Sequence, residues 1–291
     1  MSGDASHKIT APNGGEGAGG SNAAWSPRGP GDDAGRVHVV AEEEPLSGGN
    51  VGTGIVRVGD TVRRPCGPWS ASVDALLLHL ERAGYPAAPH ALGYDEQGRQ
   101  VLSFIDGYVD ARPVDLGPGR LRLIGSLIRD FHDAVESFVP PPNAVWNVAI
   151  RPDGGDIICH NDLAPWNLIR NGHLVFIDWD GAGPGTRLWD LAYAIHGFVP
   201  LSAAADLEDS LLQTRVSALV SGYRLDATGR RHLLALLVPR IRSMHDLLAE
   251  GHRCGRQPWA RLWSEGHGVA WVADADYTQR RYQALQAVLD R

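Results

Sequence analysis

The dipeptide Asn171-Gly172 is the feature that most constrains how this chain can fold. Asn-Gly is the strongest short signal for a two-residue type I′ hairpin turn, because both central residues of that turn need positive φ. The apolar-rich segments on either side, 168–170 and 174–177, are therefore predicted to pair as short antiparallel strands. Whatever lies at the outer ends of these two strands must then lie side by side.

Oxygen-bearing side chains stand at those outer ends. Asn167 precedes the first strand, Asp178 follows the second, and Asp162 lies five residues before Asn167. We expect the three side chains to converge at one end of the hairpin. Carboxylate and amide oxygens suit Mg2+, which usually takes one or two protein ligands besides substrate phosphates and waters. The pattern predicts a Mg2+-nucleotide site in which the remaining carboxylate orients a hydroxyl and accepts its proton.

The spacing of these residues is that of a kinase catalytic loop, with His160 two residues before Asp162 and a second acid after the hairpin. The stretch resembles the aminoglycoside phosphotransferase and choline kinase family, the small-molecule branch of the protein-kinase-like fold. The resemblance implies that Asp162 is the catalytic base, that Asn167 and Asp178 hold Mg2+, and that His160 gives structural support. Asn161 departs from the family, in which Gly or Arg is commoner at this place.

Two further acids follow the hairpin. Asp190 precedes an apolar helical stretch, so its simplest role is that of a helix N-cap. The resemblance adds a second structural role, in which Asp190 braces the catalytic loop through its backbone. Asp180 could contact the metal, the acceptor or only solvent. An alternative reading groups His160, Asp162, Asp178 and Asp180 as the metal cluster of a hydrolase.

A glycine-rich segment and a charged strand precede the catalytic stretch. Glycines let backbone N–H groups approach phosphate oxygens without a side chain in the way. The glycines predicted to bind the nucleotide are Gly49, Gly52 and Gly54. The only lysine of the chain is Lys8, so the strand cation that grips the phosphates must be an arginine. We predict Arg63 for this role, with Arg64 as the competitor on the opposite face of the strand.

A helix is predicted over about 73–83, with Ser70 or Ser72 as its cap. Kinases usually place a Glu on this helix to pair with the strand lysine. The nearest acid in the first turns here is Asp74, so the pair is either non-standard or missing.

A second hairpin is predicted from strands at 91–94 and 100–104, and after it the pattern changes from strands to helices. The resemblance implies that this change marks the hinge between two lobes. Backbone groups of Ser103 and Ile105 are expected to bond the adenine edge there. The first long helix after the hinge is predicted over 121–138, with His132 in a structural rather than a catalytic position.

The predicted fold is α+β, a two-lobed protein-kinase-like fold. Residues 1–35 are rich in Gly, Ala, Ser and Pro and are expected to form a disordered tail. Residues 36–107, which begin with a possible strand at 37–40, are expected to form an N-lobe built on a small antiparallel sheet. A mainly helical C-lobe over 108–291 follows.

Charge and composition exclude several classes. A net charge of −7 gives no basic footprint for nucleic acid. No run approaches the ~20 apolar residues that a membrane span needs, so we expect no membrane association. Three cysteines match no disulfide or metal spacing, which favours a reducing cytoplasm.

The predicted function is transfer of the γ-phosphoryl group of ATP, with Mg2+, to a hydroxyl of a small molecule such as a sugar, an antibiotic or an amino alcohol. The acids of the C-terminal part are matched by at least as many arginines, which argues against a polycationic aminoglycoside as the acceptor. Two alternatives stay open. One is a catalytically silent kinase-like binding protein, and the other is a metal-dependent phosphohydrolase.

Overall fold

The structure, a computed structural model, describes residues 42–46, 54–109, 115–152 and 154–290 of the chain. The predicted tail over 1–35 and the strand predicted at 37–40 lie outside these residues. So do Gly49 and Gly52, two of the three glycines predicted to bind phosphate. The domain limits predicted from the sequence stay predictions.

An antiparallel sheet of five strands forms the first part of the described chain. In chain order the strands are β1 (Glu44–Pro45), β2 (Val56–Val58), β3 (Thr61–Arg64), β4 (Ala91–Tyr94) and β5 (Gln100–Ser103). Their order across the sheet is β1-β2-β3-β5-β4. The strands predicted at 91–94 and 100–104 are confirmed. A tight turn joins β2 to β3, where Val58 pairs with Thr61 and Gly59 has a φ of 59°.

Helix α1 (Ser70–Arg82) packs against this sheet through an apolar stripe that includes Leu76, Leu77 and Leu80. The helix begins three residues earlier than predicted, and neither predicted serine caps it. Ser70 Oγ accepts a hydrogen bond from the Gly67 amide (3.0 Å), and Ser72 Oγ accepts one from the Val145 amide (2.9 Å). The cap prediction was wrong because the turn before the helix, not a side chain, sets its start.

Two small sheets carry the catalytic stretch. Strands β6 (Tyr108–Val109), β8 (Leu168–Asn171) and β9 (His173–Phe176) form one, and β7 (Ile157–Cys159) pairs with β10 (Gly183–Gly185) in the other. Residues 145–150, which precede β7 in the chain, have irregular backbone.

The hairpin of β8 and β9 forms, but its turn differs from the predicted type. Asn171 pairs directly with His173, so Gly172 stands alone at the tip with a φ of 68°. Asn171 does not adopt positive φ, which a type I′ turn would require. The pairing is shifted by one residue, and Leu168 lies opposite Phe176.

Helices form most of the remaining described chain. They are α2 (Pro118–Ala134), α3 (Arg187–Phe198), α4 (Asp209–Tyr223), α5 (Ala227–Arg253), α6 (Trp259–Ser264), α7 (His267–Arg280) and α8 (Tyr282–Leu289). Helices α2 and α4 approach so closely that a Cβ on Gly125 or Gly222 would meet the other helix's backbone. None of the described helices has both the length and the apolar character that a membrane crossing requires.

Candidate functional site

Asp162 and Asn167 are in direct contact. The Nδ2 of Asn167 donates to Asp162 Oδ2 at 2.7 Å and to the Asp162 carbonyl at 3.0 Å. A 3-10 turn over Pro165–Asn167 brings the amide back to the carboxylate. Ile177, the residue before Asp178, donates its amide hydrogen to the Asn167 carbonyl at 2.8 Å. The structure therefore brings Asp162, Asn167 and Asp178 to one end of the hairpin, as the sequence predicted.

His160 joins the loop before the hairpin to the strand after it. Its Nε2 lies 3.1 Å from the Ile177 carbonyl, and its Nδ1 accepts the Asp162 amide at 3.3 Å. A carbonyl can only accept, so Nε2 is the donor in this contact. The side chain is buried, so His160 fits the structural role predicted for it.

Asp190 holds the backbone of the catalytic loop. Its two carboxylate oxygens accept the amides of His160 (3.0 Å) and Asn161 (2.9 Å). The residue lies inside the first turn of α3, and the N-cap is Thr186, whose side chain accepts the Trp189 amide. The N-cap prediction for Asp190 was wrong, whereas the contacts with the loop backbone are those that the resemblance implied.

His132 completes the buried network behind the loop. It lies 3.1 Å from Asp190 Oδ2 through Nε2 and 2.8 Å from the Tyr223 hydroxyl through Nδ1. Burial lowers the pKa of His132, and Asp190 only partly opposes this. Burial alone would raise the pKa of Asp190, but His132 and the His160 amide outweigh it and lower that pKa. A neutral His132 therefore donates to an ionised Asp190.

Two residues of the site have left-handed backbone. Asn161 has a φ of 66° and Asp178 a φ of 60°, and Asn and Asp are the non-glycine residues that tolerate this region best. The Asn161 side chain donates to the Gly181 and Gly183 carbonyls at 3.0 and 3.4 Å. The left-handed Asp178 directly precedes a 3-10 turn, Trp179–Gly181, which carries Asp180.

The two strand arginines lie on opposite sides of the sheet. Arg64 contacts Asp180 and lies 3.8 Å from Asp178 Oδ1, so it reaches the predicted metal site. Arg63 lies instead 3.7 Å from Asp95, in the hairpin between β4 and β5. The prediction of Arg63 as the phosphate cation is corrected by this geometry, because strand alternation turns its side chain away from the site.

Helix α1 supplies no carboxylate to Arg64. Asp74 accepts hydrogen bonds from the Tyr94 hydroxyl and from Gln100 Nε2, both at 2.6 Å. Glu81, the other acid of the helix, lies 3.1 Å from His90. Arg64 takes its carboxylate partners from the loop after β9, in place of the helix acid typical of kinases.

The predicted hinge lies between β5 and β6. The Ser103 amide donates to the His90 carbonyl at 3.0 Å, and the Phe104 amide donates to the Asp60 carbonyl at 2.9 Å. These two donors are therefore committed to the sheet. Ile105 follows in irregular backbone, where its amide has no backbone partner among the described residues. The Ser103 amide is therefore not free for the adenine edge, and the roles predicted for the backbone groups of Ser103 and Ile105 stay predictions.

Three side chains near Asp162 were missed from the sequence. Trp189 and Tyr193 lie one turn apart on α3, and the guanidinium of Arg240 from α5 lies over both rings, at 5.1 and 4.3 Å from their centroids. Burial raises the pKa of Tyr193 well above its usual value, and the charge of Asp162 adds to the effect. The four-residue spacing of the two aromatics was the available signal, but nothing in the sequence linked them to a distant arginine.

The surroundings of Asp162 favour its protonated form more than water does. Burial raises its pKa, and the neighbouring charge of Asp178 adds to the effect. Hydrogen bonds from Tyr193 and Asn167 oppose the shift only in part. A carboxylate with a raised pKa is a better proton acceptor than a fully solvated one.

The comparisons with known proteins agree with this geometry. The model of the phosphotransferase enzyme family matches residues 75–224, more than half of the chain. The chain belongs to this family. The family resemblance predicted from the catalytic loop is therefore confirmed, and so is the prediction of a small-molecule kinase. A relative in Rhizobium leguminosarum bv. trifolii, the trifolitoxin immunity protein, is 39% identical over 272 residues, which cover 85% of this chain and 99% of the relative.

Solved structures of small-molecule kinases share the fold. A choline/ethanolamine kinase family protein from Mesorhizobium loti has a TM-score of 0.54 at 17% identity and covers 81% of this chain and 88% of its own. The gentamicin complex of APH(2")-IIa has a TM-score of 0.52 at 14% identity, covering 81% and 93%. The amicoumacin kinase hAmiN, in complex with AMP-PNP and Ca2+, has a TM-score of 0.52 at 13% identity, covering 68% and 78%. The predicted two-lobed α+β fold is confirmed.

Proposed function

We propose that this kinase transfers the γ-phosphoryl group of ATP to a hydroxyl of a small molecule in a Mg2+-dependent reaction. The observation that carries the proposal is the contact between Asp162 and Asn167 at the end of the hairpin, with Asp178 beside them. A silent binding protein has no need of this set of groups. In such a transfer the protein contributes mainly positioning and charge stabilisation.

The donor set at the end of the hairpin fits Mg2+. Asn167 uses its Nδ2 on Asp162, so its Oδ1 is the side-chain atom left to ligate a metal. Asp178 is exposed, so its carboxylate is accessible to an ion. One amide oxygen and one carboxylate are the hard ligands that Mg2+ takes beside phosphates and water. Bound there, the ion would neutralise charge on the β- and γ-phosphates.

Asp162 is placed to act as the base. Its carboxylate is fixed by Asn167 and its backbone amide by His160, so a hydroxyl that approaches it meets a defined acceptor. The Tyr193 hydroxyl faces the same carboxylate from α3. We assign Asp162 to orient the acceptor hydroxyl and take its proton as the bond to phosphorus forms.

Arg64 is our assignment for the cation that steadies the phosphates. Its side chain lies beside Asp178, so a nucleotide whose metal is held by Asp178 has its phosphates within reach of the guanidinium. Among the predicted glycines, Gly54 has a φ of 78°, a conformation that suits a glycine in a loop next to a ligand. Gly49 and Gly52 stay predictions, as does the Ile105 backbone for the adenine edge.

We further propose that the acceptor is a toxin. The support is the relative named for immunity to trifolitoxin, which matches this chain over nearly its whole length. Phosphorylation of a hydroxyl adds negative charge and bulk to the toxin, and both changes oppose its binding to the target. A cytoplasmic kinase would act on a toxin molecule that has already entered the cell.

Two experiments test this function. The first is calorimetric titration of ATP with and without Mg2+, and binding that depends on the metal is expected. The second expresses the chain in a trifolitoxin-sensitive bacterium and, in parallel, incubates purified protein with Mg2+-ATP and trifolitoxin. Growth under toxin, together with a toxin mass increased by one phosphoryl group, supports the proposal. Protection that survives Asp162→Asn would instead support a silent binding protein, and phosphate release from esters without ATP would support a phosphohydrolase.

A further inference from the structure

Arg240 is a buried charge on α5, and one of its hydrogen bonds reaches the catalytic loop. Only 3% of the residue is exposed. Its NH2 group donates to the Asn161 carbonyl at 3.4 Å and its NH1 group to Ser243 Oγ at 3.3 Å. The guanidinium lies over the rings of Trp189 and Tyr193, which hold it from α3.

These contacts are a poor means of stabilising a fold. Both hydrogen bonds are long, and the Nε of Arg240 is buried without a hydrogen-bond partner among the described residues. Burial lowers the pKa of Arg240, which reports the cost of keeping the charge there. Taking a charge out of water carries a desolvation penalty, and two long hydrogen bonds offset that penalty poorly. Arg240 is therefore better explained by what it does to the loop.

The peptide bond between Asn161 and Asp162 is held at both of its polar atoms. Its oxygen accepts from Arg240, and its N–H donates to His160 Nδ1 at 3.3 Å. The preceding amide, that of Asn161, is held by Asp190. Because Asn161 has left-handed backbone, a conformation of raised energy for any residue but glycine, this peptide keeps its orientation only while its surroundings impose it.

We propose that Arg240 is a positioning residue for the phosphotransfer reaction: by holding the Asn161 carbonyl, it fixes the peptide plane from which Asp162 projects. This inference rests on the proposed function of Asp162 as the base. It assigns a role in turnover to a residue of α5, 78 positions beyond Asp162 in the chain. Arg240 does not contact the nucleotide side of the site, so its loss should act on kcat and not on nucleotide affinity.

Arg215 provides a matched control. It is another buried arginine of the helical lobe, 2% exposed, and it donates to the Leu116 and Phe198 carbonyls at 2.6 and 2.9 Å. These short bonds join α4 to the last residue of α3 and to the segment before α2, and neither partner belongs to residues 158–164. Arg215→Met therefore measures the general cost of losing a buried arginine.

The test compares Arg240→Met, Arg240→Lys and Arg215→Met in the full chain, with two readouts. In Mg2+-ATP turnover, Arg240→Met should lower kcat on the order of 10²-fold, as expected for a misplaced catalytic group, and leave the nucleotide Kd unchanged. Arg240→Lys should recover part of the loss because it keeps a charged donor. Arg215→Met should change the melting temperature. Its kcat should stay equal to that of the wild type, apart from any decrease that its loss of stability explains.

The second readout is hydrogen exchange of the peptide that spans 158–164, which needs no turnover. Arg240→Met should speed exchange of the loop amides by about tenfold, the effect of losing roughly one hydrogen bond, and Arg215→Met should not. The inference would be overturned if Arg240→Met and Arg215→Met showed equal rates of loop exchange and equal losses of kcat. If the wild type turned over no acceptor, the proposed function would fail, while the exchange comparison would still decide whether Arg240 holds the loop. Should Arg240→Met not fold, the same comparison with Arg240→Lys decides it.

Discussion

Arg64 on β3 contacts Asp180 on the loop after β9, so the cation of the sheet is paired with the loop that carries Asp178. In the kinase pattern such a cation is expected to pair with an acid of α1, but Asp74 is occupied by Tyr94 and Gln100. The arginine is long enough to reach across to the other lobe. This contact joins the arginine that we propose for the phosphates to the loop that we propose for the metal.

Arg64 rather than Arg63 should support nucleotide binding. Arg64→Ala should weaken Mg2+-ATP binding by about 10- to 100-fold, since a hydrogen bond to a charged group contributes about 1.5–3 kcal/mol. Calorimetry on the purified variants measures this effect.

Arg63→Ala is the matched control for that measurement. It removes a neighbouring arginine of the same strand, whose partner is Asp95, and should leave nucleotide affinity near that of the wild type. Loss of affinity in Arg63→Ala with normal affinity in Arg64→Ala would return the assignment to the residue predicted from the sequence.

We expect Asp178 to act as a metal ligand and Asp180 to act as the partner of Arg64. Asp178→Ala should abolish the Mg2+ dependence of ATP binding, because it removes the exposed carboxylate beside Asn167. Asp180→Asn should keep that dependence and change only the affinity, since it loosens Arg64. Titrating Mg2+ at fixed ATP compares the two variants, and the opposite pattern would make Asp180 the ligand.

Asp162→Asn should lower kcat by roughly 10²- to 10⁴-fold, the range that general acid–base catalysis contributes. Mg2+-ATP affinity should stay close to that of the wild type, because our proposal assigns Asp162 to the acceptor hydroxyl and not to the metal. Rapid-quench turnover and calorimetry together measure the two effects. A variant with nearly normal kcat would remove Asp162 from its role as base.

The sequence predicted the catalytic end of the hairpin because spacing alone brings its groups together. Asn167 and Asp178 stand at the outer ends of paired strands in either turn register, so the wrong turn type at Gly172 did not displace them. The choice between Arg63 and Arg64 could not be made in the same way. Alternation says that the two point apart, but which face carries the site depends on how the sheet packs on the other lobe.

The role of Asp190 shows the same limit. A residue just before an apolar helical stretch looks like a cap, and Thr186 was the better candidate only once the helix was seen to begin at Arg187. Helix ends are decided by one or two residues of backbone, which patterns do not resolve. The role of Arg240 was still harder to predict from the sequence, because its contact with the Asn161 carbonyl depends on tertiary packing of α5 against α3.

Stability should fall as the pH drops through about 6.5, because the folded chain keeps His132 neutral. Its pKa is lowered on folding, so below about 6.5 the unfolded chain binds a proton that the folded chain resists, and protonation favours unfolding. The pKa of Asp190 is also lowered, so its contribution is present above about 3.9 and is lost as the pH falls through its folded value. The two effects have the same sign.

Melting temperatures between pH 8 and pH 5 measure this dependence, and His132→Asn identifies its source. Asparagine still offers a polar group to Asp190 but cannot be protonated, so the variant should be less stable at pH 8 and should lose less stability on acidification. His173→Asn is the control, since His173 lies exposed next to the hairpin tip and is solvated in the folded and unfolded chain alike. If the melting temperature of His132→Asn falls with pH as steeply as those of the wild type and His173→Asn, the buried His132 is not the group that sets the acid sensitivity of this fold.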